Sequence, residues 1–71
     1  MIQIGLDEVP GAGFSTPQVE EGTTLAQFMS DRGFSNRTVF VDSNPVEKGN
    51  WPNVILQDGT SVFVSEAIKG A

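Results

Sequence analysis

The chain contains no cysteine and no histidine. At 71 residues it is near the lower limit of independent folding, and neither a disulfide framework nor a thiolate metal site is on offer to hold it together. Whatever it folds into must be held by one apolar core. The same absences remove the commonest general base at neutral pH and any thiolate nucleophile, so the composition points away from an enzyme. Length allows a single domain spanning residues 1–71.

Charge narrows the partners. Nine acidic against four basic residues give a formal net charge of −5. That is the wrong sign for gripping a phosphate backbone or an anionic bilayer, so nucleic acid and membrane are not expected. The first residues, Met1 to Leu6, have neither the basic region nor the apolar length of a secretory leader. A cytoplasmic or otherwise intracellular location, virion-associated in one setting, is the expectation.

Periodicity supplies the elements. Ile2, Ile4 and Leu6 alternate with Gln3 and Gly5 and predict a first strand. Residues 7–16 carry Pro10, Gly11, Gly13 and Ser15 and read as an extended loop, with Thr16 to Glu20 as a second, edge-like strand because of Pro17. Thr24 followed by Gln27 has the spacing of a capping box, in which each residue satisfies a backbone donor of the other. Leu25, Phe28 and Met29 then share one helical face, and Gly33 offers the left-handed residue that closes a helix. Thr38 to Val41 predicts a strand ending in the turn-forming cluster Asp42-Ser43-Asn44-Pro45. Val54-Ile55-Leu56 and Ser61 to Val64, separated by Asp58-Gly59, read as a further hairpin. The fold class is α+β, a mixed sheet of four or five strands with one helix packed across it.

From Val19 onward the order and spacing of these segments resemble the small sulfur-carrier proteins of the ubiquitin-like β-grasp superfamily that serve thiamin and molybdopterin synthesis. Glu21-Gly22-Thr23-Thr24-Leu25 is similar to that family's entry into its helix, and Arg37 to Val46 to its third strand and following turn. Trp51 and Leu56-Gln57-Asp58-Gly59-Thr60-Ser61-Val62 resemble further landmarks, and residues 66–71 lie where the family has its C-terminal tail. The resemblance implies a β-grasp fold. In the family the terminal glycine of a Gly-Gly pair is adenylated by a partner enzyme and converted to a thiocarboxylate. Here the pair is Gly70-Ala71, whose added methyl group sits badly in a channel shaped for glycine.

Two functions follow. The first is a non-catalytic module for protein–protein interaction or structure, a subunit or decoration protein of a larger assembly such as a virion. The second is a sulfur carrier with Gly70 and Ala71 as its reactive tail and an adenylating enzyme as partner. No cofactor or metal is expected: Asp7, Glu8, Glu20 and Glu21 lack the alternate spacing of a calcium loop, and Gly11-Ala12-Gly13 lacks the Lys-Ser/Thr of a phosphate-binding loop. Candidate partner-binding residues are Phe14, Trp51, Ile68 and Lys69. Trp51 suits the lower edge of a core better than it suits a contact surface. Phe28, Phe40 and Phe63 sit at periodic positions and read as core, whereas Phe14 and Phe34 fall between elements and read as more exposed.

Overall fold

The computed structural model describes residues 1–9, 11 and 13–65. The chain opens as a hairpin. Strands β1 (Ile2–Gln3) and β2 (Gly5–Val9) run out and β3 (Gly13–Ser15) and β4 (Gln18–Val19) run back, with Ile2 opposite Val19 and Glu8 opposite Gly13 in one continuous register. Pro17 has no N–H to give, and the ladder breaks beside it while its carbonyl still accepts from the Ile4 amide at 3.1 Å. The predicted loop over residues 7–16 is therefore corrected: Asp7, Glu8 and Val9 belong to β2 and Gly13 to Ser15 to β3. Local propensity disfavours Asp and Glu in strands, but β2 is paired on both sides and tertiary pairing prevails.

Helix α1 (Leu25–Asp31) starts and stops where its sequence signals stand. Thr24 Oγ1 accepts from the Gln27 amide at 3.1 Å, so half of the capping box forms. The Gln27 side chain instead donates forward to Asp31 Oδ1 at 2.8 Å. At the other end Gly33 adopts φ +74°, its amide reaches the Ser30 carbonyl, and the Phe34 amide reaches Met29 at 2.7 Å. This is a Schellman closure, and it turns Phe34 back onto the core beside Met29. Phe34 is consequently buried, contrary to the expectation from its place between elements.

Strands β5 (Thr38–Val41) and β6 (Asn44–Val46) form a hairpin through Asp42 and Ser43, both at positive φ. A two-residue turn of that hand matches the strand twist. Asp42 Oδ1 accepts from the Ser61 amide at 3.0 Å, which ties the turn to β7 (Ser61–Ser65). The turn is tighter than the four-residue cluster predicted, because Asn44 and Pro45 already belong to β6.

The expected hairpin of 54–56 with 61–64 does not form. Val54 and Leu56 run past the helix entry, taking the Leu25 amide at 2.8 Å and giving an amide to the Thr23 carbonyl at 2.9 Å. The Asp58-Gly59 turn folds onto β1, with Asp58 Oδ1 accepting from the Gln3 amide at 2.9 Å. Both sides of β7 are then taken by others: β2 in parallel and β5 antiparallel. The five-stranded mixed sheet has the order β3-β2-β7-β5-β6.

One face of this sheet is covered. Leu6, Val39, Val62 and Val64 point to the helix and meet Leu25, Phe28 and Met29 in a single core with Ile2, Ile4, Phe34, Trp51 and Leu56. Trp51 sits in a 3₁₀ helix over 48–53, is 5 % exposed, and donates its indole N–H to the Val46 carbonyl at 3.1 Å. Its apolar body and its one donor are both satisfied inside the fold. No helix among the described residues is long and apolar enough to cross a membrane.

Candidate functional site

Among the described residues no helix covers the opposite face of the sheet. Side chains alternate along a strand, so burying Leu6, Val39, Val62 and Val64 forces Asp7, Phe40 and Phe63 outward. Cross-strand register then lines them up. Phe14 pairs with Asp7, Asp7 with Phe63, Phe63 with Phe40, and Phe40 with Pro45. One row crosses all five strands, apolar at every position but one. At the usual strand spacing it runs for about 19 Å.

Phe40 and Phe63 are therefore corrected from core to half-buried members of an open face. Their ring centroids lie 5.9 Å apart at an interplanar angle of 48°, an arrangement that favours both rings and holds them in place. Beside them is a shallow depression of about 300 Å³ lined by Phe40, Ser43, Ser61 and Phe63. Phe14 at the far end is 70 % exposed. It leans over Gly5, where a methyl group would meet the ring Cε1 at 3.4 Å. That distance is ordinary van der Waals contact, so the ring packs over this position without requiring a glycine there.

Asp7 interrupts the row. No hydrogen bond or ion pair among the described residues reaches its carboxylate. The described cations are elsewhere: Arg32 lies over Phe28, Arg37 over Phe34 and Lys48 over Trp51, each against a ring of the core. The central row of the open face is thus apolar with one negative charge in it, and Thr38, Ser61 and Ser65 border it on the same face.

Of the predicted partner-binding residues, Phe14 stands on this face and Trp51 is inside the core, away from it. Ile68 and Lys69, and the Gly70-Ala71 pair of the carrier reading, lie outside the described residues. Asp7, Phe40, Phe63 and Pro45 were not singled out for binding by sequence. The signal that exists is the alternation of Val with Phe in Val39-Phe40-Val41 and Val62-Phe63-Val64, which marks two apolar faces without saying which one the helix covers. Among the described residues no group of three or more acidic side chains gathers closely enough to hold a metal ion. No protein-family model matches the chain, and a search of curated proteins finds none similar in sequence.

Proposed function

We propose that this chain is a non-catalytic protein–protein interaction module with a ubiquitin-like β-grasp fold, serving within a larger assembly such as a virion and engaging its partner through the uncovered sheet face. The strand arrangement supports the fold assignment: two hairpins flank a central parallel pair, β2 with β7, and one helix crosses a single face. The row Phe14, Asp7, Phe63, Phe40, Pro45 carries the functional reading. A soluble domain gains nothing in solubility by aligning three aromatic rings on an open face, whereas a partner covering them gains both apolar burial and shape.

Strand addition at an edge is the weaker route. Each outermost strand, β3 and β6, is three residues long, and Pro45 in β6 has no backbone donor to offer. The face offers more area and more aromatic surface.

Intact mass of protein from its native source, isolated with whatever copurifies, tests the proposal. A C-terminus in ordinary carboxylate form, in material held stoichiometrically in a larger complex, is the expected result. Replacement of a terminal carboxylate oxygen by sulfur would overturn the module reading in favour of the carrier.

A further inference from the structure

We propose that the partner docks on the open face through an arginine seated on Asp7, with its guanidinium carboxylate-paired and lying against the neighbouring phenyl rings. This inference rests on the interaction reading of that face and names what the partner must bring. Asp7 stands directly opposite Phe14 on one side and Phe63 on the other. Any partner that covers those rings also covers the carboxylate between them. A carboxylate sealed under an apolar surface without a donor is strongly unfavourable, so the partner must supply a positive charge at that point of the row.

Among the described residues no lysine or arginine side chain supplies one. Arg32, Arg37 and Lys48 are each engaged over a core ring elsewhere. A second copy docked face to face would bring another Asp7 and a further net charge of −5, so like charges would meet where a counter-charge is needed. Complementarity therefore selects a different protein with a basic residue inside an apolar patch. Arginine fits better than lysine: its planar fork pairs a carboxylate with two parallel bonds, and its flat face stacks on an aromatic ring.

The test uses the 71-residue chain and a displayed random dodecapeptide library. Selected peptides are expected to carry an arginine flanked by apolar residues and to shift the ring resonances of Phe14 and Phe63. Their affinity should fall at least about tenfold on Asp7→Asn, and by a similar factor when the peptide arginine is replaced by lysine or norleucine. Unchanged spectra away from β2 confirm that the Asp7→Asn chain is folded. Peptides that shift the same rings with unchanged affinity for Asp7→Asn would overturn the arginine inference and leave the interaction face standing. Peptides that never perturb those rings would overturn both. A concentration-dependent dimer, lost on Phe14→Ser, would make a second copy the occupant and overturn the proposal as well.

Discussion

Replacing Phe14 by alanine separates the open face from the core in one experiment. The ring is 70 % exposed, so of a side chain that can bury about 200 Å² only about 60 Å² is removed from water on folding. At about 25 cal/mol per Å² that is worth at most about 1.5 kcal/mol, and less once the retained β-carbon is subtracted. Phe28 is 3 % exposed and faces the sheet from α1, so Phe28→Ala is expected to cost about 3–5 kcal/mol. For a chain of this size that approaches the whole folding free energy, which scales at about 0.05–0.15 kcal/mol per residue. Urea denaturation followed by Trp51 fluorescence reads both. Phe14→Ala should lower the midpoint by about 1 M or less, given a slope of about 1 kcal/mol per M, while Phe28→Ala should leave little cooperative transition. Equal losses for the two variants would refute the assignment of Phe14 to an open face, and with it the candidate surface.

Substitutions at three other positions probe what holds the fold that presents that face. Gly33→Ala places a methyl group in open space but at φ +74°, so its cost of about 1–2 kcal/mol, read by the same denaturation, is purely conformational. Thr24→Ala removes the acceptor for the Gln27 amide and should cost about 1 kcal/mol, whereas Thr24→Ser keeps the hydroxyl and should be close to neutral. Trp51→Phe keeps much of the apolar body but leaves the Val46 carbonyl without the indole donor, a loss of about 1–3 kcal/mol measurable by thermal unfolding followed in the far ultraviolet.

What could be read from the sequence was local. Thr24 and Gly33 mark the helix because a cap and a left-handed residue act within one turn of their own backbone. Asp58-Gly59 is a turn as expected, and Ile2, Ile4 and Leu6 are buried as their alternation implied. What could not be read depended on distant pairing. Residues 7–9 looked like loop until β3 and β7 paired with them, and 61–64 looked like half of a hairpin whose other half is held at the helix entry instead. The candidate face is non-local in the same way. Residues 7, 14, 40, 45 and 63 come together only through the registers of four strand pairs, and no window of the sequence contains that row. Val and Phe alternate in β5 and β7, and since both are apolar the pattern leaves open which set meets the helix. The outcome puts the β-branched valines inward and the phenylalanines out.

The most direct test of the account is hydroxyl-radical footprinting of the chain, free and in the complex isolated from its native source. Oxidation of Phe14 and Phe63 should fall sharply in the complex, and the buried Trp51 should be protected in both states. Phe14 and Phe63 as reactive in the complex as in the free chain would show that the partner sits elsewhere and contradict the central claim.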